Sequence, residues 1–87
     1  MTINVTAEDI AKGKCNSPAQ CPIALAIIRC TGALDVRVGY GYLKIYRPLA
    51  KGPPIGQYHE TPKKAAHFIG AFDSRKRVEP FTFELDL

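Results

Sequence analysis

Alternation of apolar and polar positions predicts strands in several parts of the chain. The pattern is short at residues 2–5 and strongest at residues 81–87, where every second position is Phe or Leu. Between these segments, residues 36–38 and 42–46 alternate on the two sides of Gly39-Tyr40-Gly41. Two alternating runs around a glycine-containing break predict a hairpin.

A first helix is predicted directly after Thr6. Thr6 is a suitable cap, with Asp9 at the third helical position, in a weaker form of the capping box. Val5 and Ile10 occupy the two positions of a hydrophobic staple around this cap. Gly13 ends the helix after about two turns.

Two further helices are predicted. Residues 22–30 are almost entirely apolar, which indicates a helix buried on most sides that begins at Pro22 and ends at Thr31-Gly32. Another helix follows Thr61-Pro62, which we interpret as a cap and a first-turn proline, and ends over residues 73–76. Its apolar face consists of Ala65, Phe68, Ile69 and Phe72.

The order of these elements is β-α-α-β-β-α-β, which predicts the α+β class. We expect one mainly antiparallel sheet of about four strands with the helices packed on one face. Residues 1–87 have room for a single domain only. Residues 14–20 and 48–60 are predicted loops. The second is too rich in Pro and Gly for a helix or strand, and loops of this length are often functional or mobile.

Composition is that of a globular protein, with 46% hydrophobic and 23% charged residues. No apolar run approaches the roughly 18–20 residues that cross a bilayer, and the first residues lack the features of a signal peptide. We therefore expect a cytoplasmic protein without a membrane partner. Three cysteines cannot all be paired, so free thiols in a reducing compartment are expected.

The net charge of +4 is unevenly distributed along the chain. Residues 37–77 contain nine basic and two acidic residues, whereas residues 78–87 contain three acidic residues and no basic ones. A basic surface on one side would favour an acidic macromolecular partner, either a protein or a nucleic acid. The alternative is a basic protein with scattered lysines and no such surface.

Metal and catalytic sites fit the sequence poorly. The cysteines, His59 and His67 offer zinc ligands, but gaps of six to nine residues differ from the close ligand pairs of structural zinc sites. A thiol enzyme is a minor alternative, in which Cys21 caps the second helix, acquires a lowered pKa and uses a histidine as base. We predict a protein that is not an enzyme, with no catalytic residues, no metal and no cofactor.

Tyrosines and basic residues are interleaved in the predicted hairpin. Tyr42, Lys44 and Tyr46 share the strand face opposite to Leu43 and Ile45. An open face of this kind suits base stacking and phosphate neutralisation, or a protein-binding patch, although tyrosines can also simply cover a sheet. The predicted partner-binding residues are Arg37, Tyr40, Tyr42, Lys44, Tyr46, Arg47, Lys63, Lys64, Arg75, Lys76 and Arg77.

Several segments are shared with a known group of proteins. They are an initial Ile-x-Val, a short helix ending at Gly, Cys-Pro-Ile-Ala-Leu-Ala at residues 21–26, Phe-Ile at 68–69, Phe-Asp at 72–73 and Val-Glu-Pro-Phe-Thr-Phe at 78–83. In these segments, and over most of its length, the chain resembles a group of small uncharacterised phage and bacterial proteins. The resemblance implies no particular activity and no functional residues. It does imply an accessory protein that blocks or redirects a host factor.

We therefore expect a small non-catalytic binding protein, a phage accessory factor that binds or inhibits a host macromolecule through a basic, tyrosine-containing surface. Direct binding of nucleic acid is the alternative. The sequence leaves the oligomeric state open.

Overall fold

The computed structural model describes residues 1–48 and 51–86. The helices are α1 (Ala7–Lys12), α2 (Pro22–Thr31) and α3 (Lys63–Asp73). The strands are β1 (Thr2–Val5), β2 (Asp35–Val38), β3 (Tyr42–Arg47), β4 (Ile55–Glu60) and β5 (Phe81–Glu84). The α+β class and the order of the predicted elements are confirmed, with β4 as an additional strand.

The strands form two antiparallel sheets, so the expectation of a single sheet of about four strands was wrong. β1 pairs with β5, and β2, β3 and β4 form the second sheet in that order. The two ends of the described chain pair with each other, with Ile3 opposite Phe83, and α2 packs against both β1 and β2. α2 thus contacts one strand of each sheet.

The assignment of residues 48–60 to a loop was wrong for its second half. Ile55–Glu60 is β4, which pairs along its whole length with β3. Every residue of β4 is exposed or half-buried, so the strand has no apolar face and no alternating pattern to reveal it. Leu49 and Ala50 lie outside the described residues.

The predicted ends of α1 and α2 are confirmed by hydrogen bonds and backbone angles. The Asp9 N–H donates to Thr6 Oγ1 at 3.2 Å and the Thr6 N–H donates to Asp9 Oδ2 at 2.9 Å, which completes the capping box. Pro22 opens α2, and Gly32 ends it with φ +72°, a left-handed conformation that glycine adopts without strain.

The entry of α3 differs from the prediction. Pro62 itself is the N-cap, and it has no side-chain hydrogen bond to the helix. Thr61, the predicted cap, is buried, and its hydroxyl donates to the carbonyl oxygen of Gly39 at 2.8 Å. A long-range hydrogen bond to the β2–β3 connection thus replaces the local cap, and it ties the start of α3 to the sheet.

The core lies between α2 and the inner faces of the two sheets. α3 joins it through Ala65, Phe68 and Ile69, and the Phe68 ring stacks on Phe81 at a centroid distance of 4.8 Å. Within the described ranges, no helix has both the length and the apolar character required to span a membrane. The largest fully buried aliphatic side chains are Ile3, Val5, Ile23, Ile27, Val36, Leu43 and Ile45.

Candidate binding surface

The outer face of the three-stranded sheet brings together most of the predicted hairpin residues. Lys44 is opposite Arg37 on one side and opposite Tyr58 on the other, so these three side chains form one row across β2, β3 and β4. Paired residues of antiparallel strands project from the same face, and positions two residues apart on one strand do so as well. We call the surface formed by Arg37, Tyr42, Lys44, Tyr46 and Tyr58 the Lys44 face. Two carboxylates border it on the same side of the sheet, because Asp35 is opposite Tyr46 and Glu60 is opposite Tyr42.

Lys44 is held between two tyrosine rings. Its ammonium lies 5.0 Å from the ring centroid of Tyr46 and 4.8 Å from that of Tyr58, within the range of cation–π interactions. Gly56, opposite Tyr46 on β4, leaves the space that the lysine side chain crosses. A Cβ atom at Gly56 would lie 2.4 Å from Lys44 Cε and 3.0 Å from Tyr46 Cε1.

The Lys44 face is open to solvent and positively charged at Lys44. Hydrogen bonding to Tyr46 raises the pKa of Lys44 above its ordinary value, which shows that this environment favours the ammonium. Tyr42 and Tyr58 are 68% and 70% exposed, which is unusual for large aromatic side chains. A shallow depression of about 340 Å³ lies among Arg37, Tyr42, Lys44, Tyr46 and Tyr58.

Arg37 and Arg47 differ in how they relate to this face. Arg37 is exposed, and its Nε donates to Asp35 Oδ2 at 3.0 Å, so its charge is partly compensated. Arg47 follows Tyr46 directly and therefore projects from the opposite face of β3. Its Nε is buried and has no hydrogen-bond partner among the described residues. The structure thus separates Arg47 from the Lys44 face.

Tyr40 also lies apart from the Lys44 face, in the connection between β2 and β3. Its hydroxyl donates to Asp73 Oδ2 at 3.5 Å, and its ring lies beside Gly70. Asp73 also accepts from the Asn16 N–H at 2.9 Å. Tyr40 therefore joins the hairpin to α3 and to the 14–20 loop, although it remains 59% exposed.

The remaining predicted residues form two basic groups at opposite ends of α3. Lys63 and Lys64 are exposed in its first turn, and residues 75–77 are exposed just after its end. Nine helical residues, 65–73, lie between the groups and span about 14 Å along the helix axis. The basic side chains therefore do not form one compact cluster with Lys44.

Tyr58 is the residue of the Lys44 face that sequence reasoning missed. It lies in the segment predicted as a loop, and the exposure of β4 removed the usual strand signal. The available signal was Gly56-Gln57-Tyr58, a proline-free stretch with one aromatic residue, and it is too weak to identify an edge strand. Only the pairing with β3 places Tyr58 opposite Lys44.

Cys21 lies at a second depression, of about 230 Å³, together with Val38, Tyr40, Ile69 and Asp73. Cys21 caps α2, because its Sγ accepts the Ala24 N–H at 3.5 Å. Cys21 is 2% exposed, and burial raises the pKa of its thiol. The thiol-enzyme alternative requires a lowered pKa. Neither histidine lines this depression, so the histidine base of the thiol-enzyme alternative is not placed beside Cys21.

Within residues 1–48 and 51–86, no three His, Cys, Asp or Glu side chains lie together in a way that could hold a metal ion. Cys15, Cys21 and Cys30 are free thiols. The His59 ring lies at a third cavity, bordered by the ends of β4 and β5.

Comparison of the chain with protein-family models, with curated proteins and with solved structures gives no match. The resemblance to phage proteins therefore stays a prediction.

Proposed function

We propose that this protein is a non-catalytic binding protein that contacts an acidic macromolecule through the Lys44 face. The observation that carries the proposal is the Lys44 ammonium held between Tyr46 and Tyr58, beside a largely exposed Tyr42. Exposed aromatic side chains around a fixed cation combine apolar contact area with charge recognition, the combination that is enriched in binding hot spots.

The partner we favour is an acidic protein surface. Lys44 already covers faces of the Tyr46 and Tyr58 rings, which reduces the ring area open to a stacking base. Carboxylates can approach the ammonium from solvent without displacing it from either ring. Together with the resemblance to phage proteins, this supports an accessory factor that acts on a host protein in the cytoplasm.

Direct binding of single-stranded nucleic acid is the second candidate. Tyr42 and Tyr58 lie on neighbouring strands of an open sheet face and are both about two-thirds exposed, and exposed aromatics on such a face stack bases in several nucleic-acid-binding folds. Lys63 and Lys64 extend the positive charge beyond the sheet.

Fluorescence anisotropy with three labelled probes tests both candidates. The probes are a single-stranded DNA, a duplex DNA and a peptide of alternating Glu and Tyr, each at roughly 50 and 200 mM salt, because phosphate contacts lose affinity steeply over this range. Preference for the acidic peptide supports a protein partner, and salt-sensitive preference for the single strand supports the second candidate. No binding of any probe at low salt contradicts the proposal.

Lys44→Glu is the decisive variant, and Lys14→Glu is its matched control. Both change the charge by the same amount at a solvent-accessible lysine, and only Lys44 lies on the Lys44 face. We expect Lys44→Glu to abolish binding and Lys14→Glu to weaken it by no more than about threefold, as for a distant surface charge. Equal losses in both variants would indicate non-specific attraction to a basic protein.

A further inference from the structure

Two strand edges border the same cavity. β4 and β5 are each at the edge of a sheet, with only one hydrogen-bonded neighbour apiece among the described strands. A cavity of about 440 Å³ lies between them, within the range of roughly 300–1,000 Å³ typical of ligand sites. It is lined by Tyr58, His59, Glu60 and Pro62 from one side and by Glu84, Leu85 and Asp86 from the other.

The β4 edge presents unpaired backbone groups to its surroundings. The Thr61 N–H donates to the Gly41 carbonyl at 2.9 Å, at the end of the β3–β4 ladder. In an antiparallel pair, alternate residues bond to the neighbouring strand and the residues between them face away. Counting back from Thr61, the N–H and C=O groups of Tyr58 and Glu60 face away from β3.

The β5 edge presents unpaired groups by the same argument. The Leu85 N–H donates to the Met1 carbonyl at 2.9 Å, in register with the β1–β5 ladder. The backbone groups of Thr82, Glu84 and Asp86 therefore face away from β1. An edge strand with free backbone groups is a template for pairing with another segment.

We infer that the cavity between β4 and β5 binds an extended, lysine- or arginine-containing polypeptide segment as an added strand. Backbone hydrogen bonds to one or both edges would hold such a segment, as in β-strand addition. The carboxylates of Glu60 and Asp86 are exposed around the cavity and select a basic segment by charge. The Glu84 carboxylate also lines the cavity, but it already accepts from the Thr2 hydroxyl and pairs with the Met1 ammonium at 3.7 Å. Tyr58, 70% exposed, supplies an aromatic wall for an aliphatic or cationic side chain.

His59 also borders the cavity. Its Nε2 atom is buried and has no hydrogen-bond partner among the described residues. The ring projects from the face of β4 opposite to Tyr58, so an inserted segment could meet both faces of the strand. The cavity shares Tyr58 with the Lys44 face, but it selects a partner of the opposite charge, so the test below distinguishes it from the proposed function.

The test uses the full chain and a labelled peptide, Thr-Lys-Val-Arg-Val-Lys-Thr, blocked at both ends. The first control peptide has Glu in place of each basic residue. The second keeps the basic residues but carries N-methyl groups on alternate amides, so that one of its backbone edges cannot donate hydrogen bonds. We expect the basic peptide to bind, the acidic peptide to bind at least about tenfold more weakly, and N-methylation to cause a comparable loss. Equal binding of all three peptides would overturn the inference.

Hydrogen exchange locates the bound peptide. Binding should slow exchange at the amides of Tyr58, Glu60, Glu84 and Asp86, which face the cavity, and leave α1 unchanged. Protection confined to β3 would overturn the inference, because it would place the peptide elsewhere. A second copy of the chain is the other possible occupant. Without peptide, it would protect the same amides increasingly as the protein concentration rises, and the molecular mass would double. That result would also overturn the inference.

Glu60→Lys is the informative variant and Glu79→Lys its matched control. Both reverse an exposed carboxylate, and only Glu60 lines the cavity. We expect Glu60→Lys to weaken binding of the basic peptide by about three- to tenfold, and Glu79→Lys to leave it within about twofold. An equal effect of the two variants would mean that the peptide responds to net charge alone, and it would overturn the inference. Retention of the wild-type circular dichroism spectrum shows that each variant is folded.

Discussion

The ammonium of Lys44 lies 4.8 Å from the ring centroid of Tyr58, a residue on the neighbouring strand. The strand pairing that sets residues 44 and 58 opposite each other creates this contact, and the absence of a side chain at Gly56 leaves room for it. Lys44 is thereby positioned, although the site is open to solvent. A positioned cation between aromatic rings distinguishes this surface from a set of scattered lysines.

Gly56→Ala should displace Lys44 without removing its charge. The new Cβ would lie 2.4 Å from Lys44 Cε, and the flexible lysine would have to move away from Tyr46 and Tyr58. We expect the Lys44 Hε resonances, shifted upfield by the two rings, to move toward ordinary lysine values, with a change in unfolding free energy below about 1 kcal/mol. Unchanged Hε shifts would contradict the described contact.

Gly41→Ala is the control for this substitution. Nothing lies within 4 Å of a Cβ atom built at Gly41. The lysine resonances should therefore keep their wild-type positions in this variant.

Asp9→Asn should lower stability at neutral pH and flatten its acid dependence. Burial alone would raise the pKa of Asp9, but hydrogen bonds from Arg29, at 2.9 Å, and from Thr6 outweigh it and lower the pKa below 3.8. A lowered carboxyl pKa stabilises the folded state above the unfolded pKa, and this contribution is lost as the pH falls through the folded pKa. We expect a loss of about 1–3 kcal/mol at pH 7.

Urea denaturation at several pH values measures this effect. The difference between wild type and Asp9→Asn should shrink below the ordinary carboxyl pKa of 3.8. Glu8→Gln is the control, because Glu8 and Lys12 form an exposed pair and such pairs contribute little. A constant difference at all pH values would contradict the role of the Asp9 charge.

Cys21 should be the least reactive of the three thiols. It is 2% exposed and burial raises its pKa, whereas Cys15 and Cys30 are half-buried. Iodoacetamide labelling of the folded protein at pH 7, followed by mass spectrometry, should modify Cys15 and Cys30 well before Cys21, and all three should react in denaturant. Labelling of Cys21 as fast as a free model thiol would revive the thiol-enzyme alternative.

Gly32→Ala should destabilise the protein through the backbone. Gly32 ends α2 at φ +72°, where a Cβ meets no neighbouring atom but disfavours the left-handed conformation. We expect a loss of about 1 kcal/mol in unfolding free energy, measured by urea denaturation. Gly41→Ala, which has no positive φ, should change stability by less than about 0.5 kcal/mol.

Local signals in the sequence were sufficient for most helix ends and for four strands. The capping box at Thr6 and Asp9, the proline at the start of α2 and the glycine at its end act within a few residues. The start of α3 was predicted less well, because Thr61 donates to Gly39, which lies 22 residues earlier in the chain. No local rule anticipates a hydrogen bond of that range.

The sequence by itself determined the α+β class, the core faces of α2 and β3, and the common face of Tyr42, Lys44 and Tyr46, because these features depend on periodicities of two and 3.6 residues. Tertiary structure alone decided that β1 pairs with β5 and that β4 exists. Tertiary structure also brings Tyr58 into contact with Lys44, whereas Tyr40 and Arg47 lie away from that face. It further brings the acidic edges of β4 and β5 to the same cavity. The physical reason is that strand pairing joins residues far apart in the chain through backbone groups, which every sequence shares, so an exposed edge strand has no side-chain pattern of its own.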